Sequence, residues 1–382
     1  MLKAGILFPR SGIYPLLGSD FIAGIRSSLK ALGIQEEVEL MLEPIGFGSD
    51  KKELYQKAEL LFLVENADIL IAFIDQRISD TIYPLPGALD KPLVIVNPGA
   101  NYALNWVAPD NVIFLDLEEV LLCRLTGKKA ADQNIEKAAL AISYYDGGYH
   151  HGHAMVSPFL EKGTIVHTYV SPLKKADFSI TPLAQFLKDN EEISTILGLF
   201  SGEESDQFLK ELVDLKLGRP IKIFGSPFML GEQNSKSTDL SADIELSGYL
   251  PWHSGLDNKE NNQFKEQLKQ DTGKPANLFS LLGWESGLLL KEYLNLDIAR
   301  RNPGALLGSL SEKGFSTPRG EMVLDPVTKH LLGPVFESTQ NGAEKSLKPA
   351  LDTDQSLAEW KILVEKSVLE DSSGWTNTYL CS

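Results

Sequence analysis

The stretch "ADILIAFI", residues 67–74, decides how this chain reads. After Asp68 the residues are apolar without alternation. That marks a strand buried on both faces, and such strands belong to parallel sheets covered by helices. Working backwards, "SDKKELYQKAELLFLVEN" (49–66) is a helix with lysines and glutamates on its wet face, and "VELMLEPIGF" (38–47) is a strand. "SDFIAGIRSSLKALG" (19–33) has helical spacing, with Ser19 as its expected N-cap and Gly33 as its stop, and "KAGILF" (3–8) is the first strand. Working forwards, "KPLVIVN" (91–97) and "NVIFLDL" (111–117) continue the sheet.

A charged helical segment, "TGKKAADQNIEK" (126–137), follows, and then the pattern restarts. "KAALAISYY", "TIVHTYV", "ISTILGLF", "PIKIFG" and "DIELSGYLP" read as strands, with amphipathic helices between the first four. The expected fold is therefore α/β, with two Rossmann-like lobes, each a parallel sheet covered by helices on both faces. Two long helices (258–273 and 277–296) and a hairpin-like end, "GEMVLDPVTKHLLGPVFES", come after. Residues 341–382 are polar and read as a weakly specified extension, in which "LAEWKILVEKSVL" has the spacing of a helix.

The chain's 382 residues carry 52 acidic and 36 basic side chains, a net charge of −16, which excludes nucleic acid or an anionic membrane as the main partner. No apolar run reaches the length of a membrane span, because Glu65, Asn66 and Asp68 interrupt the best candidate. The first residues read as a strand rather than a signal peptide. The two cysteines, Cys123 and Cys381, are expected to be idle or buried thiols, with a disulfide as the alternative.

Ligands of open parallel sheets bind at the carboxyl ends of the strands. Four such ends stand out: "FPRSGIYPLLGSD", "FIDQRISD", "NPGANYALN" and "YYDGGYHHGH". In the second, Asp75, Gln76 and Arg77 form a charged cluster. It either recognises a polar head group, with Arg77 suited to a carboxylate, or caps the next helix from within. In the third, Gly99 permits close backbone approach and Asn97 and Asn101 offer hydrogen bonds, unless the segment is an ordinary turn. The fourth holds His150, His151 and His153. On a helix His150 and His153 share a face while His151 points away, so the spacing is poor for zinc. No metal and no cofactor are expected. The segment "DGGY" lacks the ending of a phosphate loop, and no nucleophile elbow is present.

In this order, the strand ends resemble the type I periplasmic binding proteins, in their leucine/isoleucine/valine-binding branch. "ILFPRSGIYPLLGSDFIAGI" is similar to the family's opening strand, turn and first helix, and "PLVIVNPGANYALN" to its ligand-gripping loop. "FSLLGWESGLLL" and "GFSTPRGEMVLDP" are similar to its late helix and terminal strand. The resemblance implies lobes of residues 1–117 plus 253–332 and 118–252 plus 333–382, joined by crossovers near 115–119, 249–253 and 332–335. It also implies a monomer without catalysis, placed in the periplasm or cell envelope with its leader absent from this chain, that delivers a small-molecule ligand to an ABC permease. Position by position it assigns ligand contacts to Ser11, Tyr14, Asp75, Gln76, Arg77, Asn97, Gly99, Ala100, Asn101, Tyr149 or His150, Phe200, Ser201 and Ser226. Where the family holds an amino acid's ammonium group, "FGSPF" offers no acid. The expected ligand is thus a small carboxylate with an apolar or aromatic body, with ordinary amino acids next. The rivals are a ligand-sensing module of the same fold and, further off, a metal-dependent or hydrolytic enzyme using the histidine loop.

Overall fold

The computed structural model describes residues 1–231, 240–297, 301–367, 375 and 377–381. In chain order its first part comprises β1 (Leu2–Phe8), α1 (Leu17–Ala31), β2 (Val38–Pro44), α2 (Lys51–Glu59), β3 (Ile69–Phe73), α3 (Pro84–Ala88), β4 (Leu93–Asn97) and β5 (Val112–Asp116). The second part comprises α4 (Glu119–Asp132), β6 (Lys137–Ile142), α5 (His151–Leu160), β7 (Thr164–Val170), α6 (Thr181–Asp189), β8 (Thr195–Leu199), α7 (Gly202–Asp214), β9 (Ile221–Gly225) and β10 (Ile244–Leu250). Then come α8 (Lys259–Thr272), α9 (Leu278–Asn295), α10 (Pro303–Lys313), β11 (Phe315–Thr317), β12 (Gly320–Leu324), β13 (Leu331–Leu332), β14 (Val335–Asn341), β15 (Glu344–Leu351) and α11 (Thr353–Lys366).

The first sheet has the order β2-β1-β3-β4-β5 and is parallel throughout. The second repeats that order as β7-β6-β8-β9-β10 and adds β14 and β15 antiparallel at its far edge. All five residues of β3, and all five of β4, are buried, as an uninterrupted apolar run requires. Each sheet has an apolar cluster on either face. The chain changes sheets after β5, after β10 and between β13 and β14.

Helix ends follow local chemistry in several places. Asp50 caps α2 by accepting from the amides of Lys52 and Glu53, and Asn277 and Asp352 form capping boxes at α9 and α11. The expected cap at Ser19 is corrected: α1 starts earlier, at Leu17, and the Ser19 hydroxyl donates to the Leu16 carbonyl. Gly33 does follow the helix end, at φ +69°. Both cysteines are buried free thiols.

Residues 341–382 contain more order than their polarity announces. β15 pairs along β14, and α11 lays Trp360 into the second sheet's core. The last described residues turn back: Tyr379, Leu380 and Cys381 are buried in the cluster that also holds Ala100, Tyr149 and Phe228.

Candidate functional site

The carboxyl ends of β1, β3 and β4 face those of β6, β8 and β9, and the space between them holds the chain's own C-terminal residues. Tyr379 is 1% exposed. Its phenol donates to Asp146 at 2.6 Å and lies 3.3 Å from a Glu119 carboxyl oxygen. One phenol proton cannot serve two carboxylates. It goes to the closer Asp146, and the Glu119 pKa is raised well above normal by burial and by the Asp146 charge. Asp146 itself is pushed up to about 6 by burial, against hydrogen bonds from Ser143, Tyr379 and Ser201 that favour its charged form.

Aromatic rings surround the phenol. Tyr149 meets it edge-on with centroids 4.6 Å apart, His151 lies at 5.1 Å, Phe228 at 5.9 Å and Tyr145 at 6.0 Å. On the first sheet's side, the Ser11 hydroxyl donates to the Leu380 carbonyl, and the Asp75 amide donates to the Thr378 hydroxyl at 3.1 Å. Trp375 lies against Gly148 and donates from its indole to the Tyr145 carbonyl at 2.8 Å.

Several residues assigned from sequence meet here. Ser11 also accepts from the amides of Ile13 and Tyr14, and the Tyr14 hydroxyl accepts from the Gly202 amide at 2.9 Å, bridging the two sheets. Asp75 accepts from the Arg77 amide and from Asn101. It therefore does cap the following turn. Burial raises its pKa, and the half-buried Arg77 beside it lowers it in part. The Tyr149 hydroxyl donates to that of Tyr145 at 2.8 Å, and Ser201 donates to Asp146.

The 97–101 loop grips main-chain atoms, but the atoms belong to this chain. The Ala100 carbonyl accepts from the His151 amide at 2.9 Å, and the Asn101 side chain accepts from the His150 amide at 3.2 Å, so the loop holds the first turn of α5. Gly99, at φ +80°, packs against the amides of Glu118 and Glu119. A buried Asn97 side-chain nitrogen and the Ser226 hydroxyl have no hydrogen-bond partner among the described residues.

Three assignments move away from the centre. Gln76 donates to Asp116 at 2.7 Å, toward the passage between the sheets. His150 turns aside, stacks on Tyr102 at 4.9 Å and accepts from its amide. Phe200 is corrected most plainly: it stacks on Phe208 at 4.4 Å within the second sheet's core. Strand alternation explains this, because Phe200 and Ser201 point to opposite sides and Ser201 takes the cleft. The histidines diverge. His151 is fully buried, 3.8 Å from Asp146, with burial lowering its pKa to about 3, while His153 is exposed. Among the described residues no three His, Cys, Asp or Glu side chains are grouped to hold a metal ion.

The model for the periplasmic binding protein family matches residues 1–337. This chain belongs to that family. The chain is 22% identical over 346 residues to "Leu/Ile/Val-binding protein homolog 6" of Brucella abortus (strain 2308), a match covering 88% of this chain and 86% of the relative. A solute binding protein of an ABC transporter from R. palustris, solved with benzoate, superposes with a TM-score of 0.72 at 21% identity, covering 92% of this chain and 96% of that one. Another, from Rhodopseudomonas palustris HaA2 with p-hydroxybenzoic acid, gives 0.74 at 20% identity, covering 94% and 99%.

Asp146, Ser143, Glu119, His151 and the C-terminal residues also meet in this cleft, and the sequence pattern did not single them out as ligand contacts. Asp146 had a signal, since it lies in the loop that leaves the carboxyl end of β6. Glu119 opens α4 directly after Glu118, at the head of the apolar run "VLLC", and that pair of acids read as an ordinary charged helix start. The tail had no signal in its polar composition.

Proposed function

We propose that this chain is an extracytoplasmic solute-binding protein that captures a small carboxylate with an aromatic body for ABC-type import. The lobes would be residues 1–117 plus 253–332 and 118–252 plus 333–382, closing about the three passages between the sheets. One observation carries the reading. Groups from both sheets (the Ser11 hydroxyl and the Asp75 amide from one, the Asp146 carboxylate from the other) hydrogen-bond the C-terminal segment, whose buried Tyr379 ring is walled by Tyr149, His151 and Phe228. Binding energy drawn from both lobes at once is what stabilises a closed state. The relatives solved with benzoate and p-hydroxybenzoic acid support the aromatic body. The Leu/Ile/Val-binding relative supports an amino acid as the next choice, and Asp146 supplies the acid an ammonium group needs.

Titration calorimetry with benzoate, 4-hydroxybenzoate and leucine tests this. An aromatic acid should bind with saturating one-to-one stoichiometry, and Asp146→Ala should weaken a hydroxylated ligand by on the order of 1.5–3 kcal/mol. Tight binding of leucine with none of either aromatic acid would overturn the aromatic preference. A sensing module of the same fold is the second reading, favoured by the filled cleft. Co-purification with a permease would decide for import.

A further inference from the structure

We propose that Tyr379 and Leu380 are a built-in surrogate for the ligand, so that the site takes a small hydroxyaryl acid which must displace the C-terminal segment to enter. The proposal rests on the solute-binding reading and sharpens it to one ligand class and one competitor.

The tail's chemistry reads as a template. At its deep end an aromatic hydroxyl donates into an acceptor-rich corner formed by Asp146, with Glu119 and Ser201 beside it. At the other end a carbonyl oxygen accepts from the Ser11 hydroxyl. Between them lies a flat ring bounded by Tyr149, His151 and Phe228. A molecule with a phenolic hydroxyl, an aromatic body and a carboxylate oxygen at the opposite end reproduces all three contacts. A ligand lacking the hydroxyl takes from buried Asp146 one of its three hydroxyl donors, leaving those of Ser143 and Ser201, and forfeits that charge-assisted bond.

The same residues hold the tail as an occupant rather than as a wall. Contacts reach it from both sheets: Ser11 and Asp75 on one side, Asp146, Tyr145 and Tyr149 on the other. Leu380 sits at φ +69°, a left-handed conformation that side chains rarely adopt, so the seated tail carries backbone strain that leaving would release. Beside it a cavity of about 300 Å³ is lined by Ser143, Tyr145 and Ser201 on one side and by Trp375 and Asn377 on the other. A ligand entering there would reach Ser201 from the tail's flank and unseat it progressively. An occupied site lowers apparent affinity by the fraction of time it is free.

The test uses the full chain, with 4-hydroxybenzoate as probe and the synthetic peptide of residues 373–382 as competitor. Tyr379→Ala empties the ring position. Gly148→Ala unseats the tail from outside, because a β-carbon there would stand 1.6 Å from the Trp375 indole. Both variants should bind 4-hydroxybenzoate about tenfold or more tightly than the parent. The peptide should reverse the gain in Tyr379→Ala, and added 4-hydroxybenzoate should make the parent's C-terminus open to carboxypeptidase. If Tyr379→Ala does not fold by circular dichroism, Tyr379→Phe, which keeps the ring and loses the hydroxyl, and Gly148→Ala carry the measurement. Equal affinity in the parent and the variants would overturn the surrogate while leaving the solute-binding reading in place. Peptide bound by Tyr379→Ala, with no benzoate, 4-hydroxybenzoate or leucine bound by any chain, would sink the small-ligand reading and keep the tail as occupant. Neither peptide nor hydroxyaryl acid bound would end the proposal.

Discussion

Arg319 brings one positive charge to a buried junction that holds three carboxyls. Its guanidinium grips Glu285 with two hydrogen bonds of 2.9 and 2.8 Å, donates to the Asp116 carbonyl and stands 3.6 Å from Glu118. Glu118, Glu285, Asp116 and Arg319 are all nearly inaccessible to water. With Arg319 matched to Glu285, the other two carboxyls are unbalanced, and burial pushes Asp116 up to about 7 and Glu118 up to about 8. The folded state therefore binds protons that the unfolded chain, titrating near 4, has released. Their stabilisation is fully present in acid and lost as pH rises through those values. Glu118 alone should cost on the order of 2–3 kcal/mol between pH 6 and pH 9. Glu118→Gln keeps the acceptor for the Gly333 amide and removes the titration. Urea midpoints for the parent should fall over that interval, and those for Glu118→Gln should fall less. Parallel curves would show that Glu118 is charged throughout. Below about pH 6.5 the buried His151 and His330, whose folded pKa values are lowered to about 3, act in the opposite sense and lose stability as pH falls.

At the scale of elements, backbones touch where glycine lets them. A β-carbon on Gly127 of α4 would stand 1.8 Å from the Met155 carbonyl of α5, and one on Gly24 of α1 would stand 2.1 Å from the Ser280 carbonyl of α9. Neither neighbour is a side chain free to swing away, so the helices themselves must separate. Gly127→Ala should cost about 1–3 kcal/mol or more by urea denaturation. Gly87→Ala, with open space around it in α3, should be neutral or mildly stabilising through helix propensity. Equal effects at the two positions would refute the close-contact account. The two parallel sheets were legible because strands such as "ADILIAFI" and "LVIVN" are apolar on both faces, and only a covered parallel sheet uses such runs. Strand-end loops were legible for the same reason, as the places where those runs stop. Phe200 was misread because one strand end carries both a core side and a cleft side, and only register separates them. The tail was invisible for a different reason. Thr378, Tyr379 and Leu380 are buried with hydrogen bonds to Asp75, Asp146 and Ser11, residues more than two hundred positions away, and no local pattern records such partners.

For the whole molecule, the question is which state the free chain occupies. Without the tail, the hydrogen bonds across the cleft among the described residues include those of Tyr14 with Gly202, Ala100 with His151, and Asn101 and Tyr102 with His150, beside ring contacts of Tyr102 with His150 and of Phe228 with Tyr14 and Phe279. Net hydrogen bonds of this kind contribute only about 0.5–1.5 kcal/mol each, and a hinged pair of lobes opens when little else spans it. The tail adds Tyr379, Leu380 and Thr378, each bonded across or along the cleft, and buries an aromatic ring there. On the proposed two-lobe reading, closure would therefore be tied to the chain's own C-terminus. Small-angle scattering should give the parent a radius of gyration near the compact value of about 21 Å for a chain of this length, unchanged by saturating 4-hydroxybenzoate, since one occupant replaces another. Tyr379→Ala should be larger when free and shrink to the parent's value with ligand, because, unlike the parent, it has an empty site for the ligand to close. A parent that contracts on binding as much as the variant does would show that the tail does not hold the lobes together, and that closure waits for the ligand alone.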